Sequence, residues 1–315
     1  MHAAIDAVRW AYESASSGRA TMPARIHLDV AAFNGVALVM PAFVPPSPNG
    51  RFPASLAVKT VSVFPGNASK GLPAVMGGVL VLDPSSGAVI GLLDGAALTA
   101  IRTGAGCGVA TALLSRPDSS VLGVFGAGVQ AAAQIEAICA VRPIREVRIF
   151  DRTPANADRL AARISCCLAS VAETAREALF EADIVCCATN SPSPLFDDAD
   201  IRLGTHINTI GAYKPTTAEV PASTVVRSRV FVDSREASLH EAGDIVQPLQ
   251  SGLITENHIL GEIGELSLGK VVGRTDHDQV TLFKSVGMAV QDAVCAAFVL
   301  AEAERLGLGQ VISWP

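Results

Sequence analysis

A short apolar run, Val121-Leu122-Gly123-Val124-Phe125, ends in Gly126-Ala127-Gly128-Val129-Gln130-Ala131, and an alanine-rich segment follows. The glycines allow a pyrophosphate to approach the backbone. A helix starting there offers free N–H groups and the positive end of its dipole. Gly126, Ala127, Gly128, Val129 and Gln130 are therefore expected to bind a dinucleotide. A second apolar run, Val147-Arg148-Ile149-Phe150, closes on Asp151-Arg152-Thr153. Asp151 suits a ribose 2′-hydroxyl, the mark of NAD, whereas Arg152 and Thr153 suit a 2′-phosphate, the mark of NADP. Both nucleotides stay open. A chain that holds either is expected to move hydride.

Two further strand ends point the same way. Cys186-Cys187-Ala188-Thr189-Asn190-Ser191 follows an apolar run, and Ile210-Gly211-Ala212 follows Thr205-His206-Ile207-Asn208. Ala188, Thr189, Asn190, Ile210 and Gly211 are expected near the nucleotide. Lys59, inside an apolar strand, and Arg102, among small residues, are conspicuous because an unpaired buried cation is expensive.

The elements that must position these residues fall into two groups. Residues 2–16 read as an amphipathic helix stopped near Gly18, followed by strand-like runs at 25–30, 35–40, 56–64, 75–82 and 88–94. Residues 41–53 read as a proline-rich loop. A small-residue helix over 96–115, rich in glycine, implies close approach to another backbone. From Ser119 the pattern alternates strand and helix, the rhythm of a parallel sheet covered on both faces. Residues 285–306 read as a long apolar helix returning to the first group. The expected class is α/β: a Rossmann-type doubly wound parallel sheet over 116–287, plus a discontinuous β-rich α+β domain over 1–115 and 288–315. The second domain is assigned to substrate binding and dimerisation.

Half of the 315 residues are hydrophobic, and a net charge of −6 with no Lys/Arg run argues against a nucleic-acid partner. Seven cysteines without C-x-x-C spacing read as small buried apolar residues in a reducing compartment. No apolar run of the ~18 residues that span a bilayer is evident, nor is a signal-peptide layout. The expected location is cytoplasmic, with no membrane partner.

Joined to Val58-Lys59-Thr60-Val61, Phe64-Pro65-Gly66-Asn67, Thr99-Ala100-Ile101-Arg102-Thr103-Gly104-Ala105 and Phe283-Lys284-Ser285-Val286-Gly287-Met288-Ala289-Val290-Gln291-Asp292, these pieces resemble the ornithine cyclodeaminase/μ-crystallin family. The resemblance runs in the family's order from about residue 4 to 300. It implies that Arg25, Lys59 and Arg102 bind a substrate carboxylate, with Lys59 and Arg102 catalytic, and that Tyr213 and Gly287 line the substrate site. Thr103 and the returning segment Lys284, Ser285 and Val286 are implied to touch the cofactor, NADPH or NADH. It also implies a homodimer.

One departure matters. Where the family's cyclodeaminases and alanine dehydrogenases carry an aspartate, this chain has Tyr213, in Gly211-Ala212-Tyr213-Lys214-Pro215, and the Gly-Lys after the proline is replaced by Thr216-Thr217. Tyrosine lacks the charge that positions an amino group or activates water. The resemblance is therefore closer to the imine-reducing branch, which implies a small cyclic imino-acid substrate such as Δ1-pyrroline-2-carboxylate or Δ1-piperideine-2-carboxylate. The alternatives are an amino-acid dehydrogenase, an ornithine cyclodeaminase, and a μ-crystallin-like nucleotide or small-ligand binding protein.

Overall fold

Strands whose burial alternates residue by residue build the first sheet, and strands buried along nearly their whole length build the second. In the computed structural model, which describes residues 1–312, the elements in chain order begin with α1 (His2–Ser16), β1 (Ile26–Val30), β2 (Gly35–Val44) and β3 (Ser55–Val63). Next come β4 (Val75–Leu82), β5 (Val89–Asp94), α2 (Gly95–Leu114), β6 (Val121–Phe125), α3 (Val129–Val141) and β7 (Glu146–Phe150). They continue with α4 (Pro154–Ala161), β8 (Leu168–Val171), α5 (Ala175–Leu179), β9 (Ile184–Cys187), β10 (His206–Thr209), α6 (Ala222–Arg227) and β11 (Arg229–Val232). The last are α7 (Arg235–Glu241), α8 (Gly243–Gln250), β12 (Ile259–Glu262), α9 (Ile263–Ser267), β13 (Thr281–Lys284) and α10 (Ala289–Leu306).

The chain divides into two compact units, one made of Met1–Arg9 and Thr103–Met288, the other of Trp10–Arg102 and the segment from Ala289. The division cuts through α1 and α2, whereas the sequence placed a boundary after residue 115. A helix that serves both units carries no composition change at the cut, so the sequence offers nothing to mark it.

In the second unit, β1 to β5 form an antiparallel sheet in sequential order, and α10 packs on β2 and β3. Strand β2 runs through Pro41, where a loop was expected. Its pairing with β1 stops at Val39. Pro41 lies on the same side of the strand as Phe43, beyond β1, so its missing N–H leaves no ladder bond broken.

In the first unit the parallel sheet has the order β12-β11-β13-β10-β9-β6-β7-β8. Read from β8, the strands β8-β7-β6-β9-β10-β13 follow the doubly wound order, and the direction of winding reverses between β6 and β9. The expected long helix from 285 begins at Ala289 instead. Residues 281–284 form the buried central strand β13, between β11 and β10. Close approach along α2 is borne out: a Cβ at Gly104 would lie 2.6 Å from the Ala133 carbonyl oxygen, and one at Gly108 would lie 2.8 Å from Ile5. Contrary to expectation, Gly95–Leu114 is long and apolar enough to cross a membrane by length and composition, yet 72% of its apolar window is buried in the fold.

Candidate active site

In the first unit the predicted nucleotide residues, apart from Thr103, which is buried on α2, lie at or follow the carboxyl ends of β6, β7, β9, β10 and β13 at one edge of the parallel sheet. Gly126 ends β6 with φ of +97°, and a Cβ there would sit 2.5 Å from the Ala188 carbonyl oxygen. Only glycine fits such a turn. Gly128 precedes α3 with no side-chain cap, and a Cβ on it would meet open space. Gly128 thus gives the first turn of α3 no side-chain cap, and Gln130 Oε1 is buried without a partner among the described residues. Glycine cradle and uncapped helix start together fit a dinucleotide pyrophosphate. Asp151 is held by two backbone donors: Ala127 N–H to Oδ2 at 2.9 Å and Thr153 N–H to Oδ1 at 2.8 Å. Arg152 and Thr153 are exposed beside it.

Buried carboxylates that the sequence did not single out fix the neighbouring loops. Glu219 accepts from the N–H and hydroxyl of Thr189 at 2.7 and 2.8 Å, from the Thr209 hydroxyl at 3.1 Å, and from the N–H groups of Gly211 and Ala212 at 2.6 and 3.3 Å. The N–H groups of Thr189 and Gly211 are thereby taken up by protein. Asp244 accepts from the backbone of Glu219 and Val220, from Thr209, and from Lys284 Nζ at 2.8 Å. Lys284 is fully buried at the end of β13, so its ammonium is committed to Asp244. Asp233 accepts from the Ser285 hydroxyl at 2.7 Å and from the N–H groups of Val286 and Gly287 at 3.0 and 2.7 Å. It sets the loop in which Gly287 takes φ of +83°. Tyr213 is exposed, with Lys214 Nζ 5.8 Å from its ring centroid.

The cations Lys59 and Arg102 meet in the second unit. Lys59 lies on the face of β3 that carries the buried Ser55 and Ala57, the side on which α10 packs. Its Nζ is 3.2 Å from Asp292 Oδ1, which also accepts from Arg102 Nε at 3.1 Å. Gln291 completes the frame: its Oε1 accepts from Arg102 at 3.3 Å, and its Nε2 donates to the Tyr12 hydroxyl at 2.9 Å and the Arg102 carbonyl at 3.3 Å. Arg25, just before β1, is close enough for its charge to act on Lys59. Burial, then the Arg102 charge, pull the Lys59 ammonium down to about 8, against the opposing pull of Asp292. Two buried cations, Lys59 and Arg102, thus share a single carboxylate oxygen of Asp292, a donor set suited to an additional anion. Tyr213 and Gly287, also expected at the substrate, belong to the other unit.

Asp292 is the residue of this candidate site that the sequence did not single out. In the sequence it stands only as the last residue of the family-like segment ending in Gln291-Asp292. A carboxylate one turn into an apolar helix was the available signal, since burial there requires a cationic partner.

A profile of the ornithine cyclodeaminase/mu-crystallin family matches residues 1–306. The chain belongs to this family. A Δ1-pyrroline-2-carboxylate reductase of Bacillus cereus is 35% identical over 318 residues, covering 100% of this chain and 96% of the relative. Among solved structures, Thermococcus litoralis Δ1-pyrroline-2-carboxylate reductase in complex with NADH and L-proline superposes with a TM-score of 0.92 at 39% identity, covering 98% of this chain and 95% of the other. An archaeal alanine dehydrogenase dimer with bound NAD superposes at 0.90, with 31% identity and coverage of 99% and 94%. Within the family the fold is thus the Rossmann-like sheet with an antiparallel partner sheet, as the sequence implied.

Proposed function

We propose that this chain reduces cyclic 2-imino acids, Δ1-pyrroline-2-carboxylate and Δ1-piperideine-2-carboxylate, to L-proline and L-pipecolate with a reduced nicotinamide nucleotide. The observation that carries the reading is the buried pair Lys59 and Arg102 on one carboxylate, Asp292, with Arg25 near enough for its charge to act on Lys59. A guanidinium gives a carboxylate two parallel donors, and an ammonium adds a point charge.

A bound NADH or NADPH supplies the hydride, which goes to C2 of the C=N bond. The protein must hold the ring's acid group and supply a proton to the imine nitrogen. Arg25 and Arg102 hold the carboxylate. Lys59, charged at neutral pH but with its proton loosened to about 8, is the proton donor. Asp292 keeps that proton from leaving too early and points Arg102. Tyr213, in the slot where the resemblance implies an aspartate for deaminating chemistry, supports reduction over cyclodeamination.

NADH is the preferred nucleotide in this reading. The carboxylate of Asp151, pinned by Ala127 and Thr153, can accept from a ribose 2′-hydroxyl and repels a 2′-phosphate. A homodimer through the β-rich unit is supported by the apolar residues this unit leaves exposed, among them Leu28, Phe33 and Leu92. The alanine dehydrogenase neighbour, itself a dimer, offers the same precedent.

The test is steady-state kinetics with each cyclic imine and each reduced nucleotide. Turnover of at least one imine, faster with NADH, is expected. Turnover of pyruvate with ammonia in its place would assign an amino-acid dehydrogenase.

A further inference from the structure

The cysteines divide in a way their spacing did not predict. Cys107, Cys186, Cys187 and Cys295 are buried, as expected. Cys139, Cys166 and Cys167 are not scattered core residues: they converge. Their sulfurs are 3.2 Å apart for Cys166 and Cys139, 3.7 Å for Cys166 and Cys167, and 4.0 Å for Cys139 and Cys167. Cys139 and Cys167 pack against the apolar core around Ile135 and Val147, which holds their positions, while Cys166 is exposed. The trio therefore has two anchored members and one open to solvent.

We propose that Cys139, Cys166 and Cys167 form a binding site for a thiophilic metal ion, Zn2+, with water as the fourth ligand. In a tetrahedral zinc site with Zn–S near 2.3 Å, sulfur atoms stand about 3.8 Å apart. The three separations bracket that spacing, so an ion can be seated by small side-chain rotations alone. Thiolates select soft or borderline ions over Mg2+ and Ca2+. Each thiol releases its proton to solvent as it takes the metal.

The site is separate from the nucleotide turn. Cys139 lies ten residues into α3, about 15 Å along the helix from the glycine turn. Cys167 directly precedes β8, at the amino edge of the parallel sheet, whereas the nucleotide residues lie at the carboxyl edge. A bound ion ties α3 to the connection leading into the edge strand β8. Its effect is on the stability of that edge, and the reductase chemistry does not depend on it.

The experiment uses the full chain, reduced with a phosphine under anaerobic conditions. Zn2+ is titrated against a chromophoric chelator, and Co2+ is substituted to read sulfur-to-metal charge transfer. One equivalent per chain, a charge-transfer band, and a thermal midpoint that rises with zinc are expected. Cys166→Ser, at an exposed position, should keep the fold and imine turnover yet lose the band. Each single Cys→Ser change should weaken zinc by at least about tenfold, since losing a ligand costs no less than losing a group that merely orients one. Equal metal binding by wild type and the triple serine variant would overturn the proposal. So would a fully reduced wild type that binds neither ion, with oxidation giving only a Cys139–Cys166 disulfide.

Discussion

At the scale of single residues, the proposed chemistry turns on Lys59 and its partner Asp292. A lysine in a nearly dry site is useful only if its proton is neither locked on nor already lost. Burial and the Arg102 charge lower its affinity for the proton, and Asp292 limits the fall, leaving it at about 8. With Lys59 as the proposed proton donor, the protonated form is the active one, so kcat/KM for a cyclic imine should decline as pH rises through about 8. Asp292→Asn removes the charge that opposes deprotonation. Its profile should turn down at lower pH than the wild type, with circular dichroism confirming the fold; an unmoved limb would separate Asp292 from Lys59. Arg102→Lys keeps charge but loses the planar fork. A charged hydrogen bond lost here predicts a decrease in kcat/KM of about 10- to 100-fold, expressed mainly in KM. An unchanged KM would remove Arg102 from carboxylate recognition.

At the scale of elements, the loops that carry the nucleotide residues are shaped by carboxylates beneath them. Asp244 neutralises the fully buried Lys284, and both lie under the turns after β9 and β10 through Glu219. Asp244→Asn leaves an uncompensated ammonium and should destabilise by about 3–5 kcal/mol in denaturant unfolding. The paired change Asp244→Asn with Lys284→Met removes both charges and keeps an amide oxygen for the N–H groups of Glu219 and Val220, and should recover much of that loss. At the glycine turn, Gly126→Ala forces φ of +97° on an L side chain and drives a methyl against the Ala188 carbonyl. NADH affinity should fall at least about tenfold, at a conformational cost of about 1–3 kcal/mol. Binding titration reads the first and thermal unfolding the second.

This is also where the sequence was most and least legible. The turn 126–131 and Asp151 could be read because glycine geometry and a strand-end carboxylate are local features. Glu219, Asp233 and Asp244 could not, because their partners lie up to 54 residues away and each looks like an ordinary surface acid. Lys59 meets Asp292 across 233 residues, only because α10 returns to β3. Strand β13 went unread because it has only four residues and ends in a lysine. Burial at the sheet centre, not local propensity, makes it a strand.

At the scale of the whole molecule, the β-rich unit leaves large apolar side chains on its surface: Leu28 is 60% exposed, Phe33 70% and Leu92 71%. Such a surface is costly for a monomer, and the proposed homodimer would cover it. Sedimentation equilibrium should give twice the chain mass. Leu92→Glu should shift it toward the monomer without abolishing nucleotide binding, and a monomeric wild type would refute the assignment.

The account as a whole rests on the reduction of a ring C=N bond by a nicotinamide nucleotide. Its most direct test is the oxidation of NADH by the purified chain with Δ1-pyrroline-2-carboxylate and Δ1-piperideine-2-carboxylate, with the amino-acid product identified. The account predicts NADH loss matched by formation of L-proline or L-pipecolate, with kcat/KM on the order of 10⁴ M⁻¹s⁻¹ or more. NADH that stays unoxidised with both imines, while ornithine is converted to proline and ammonia, would contradict it.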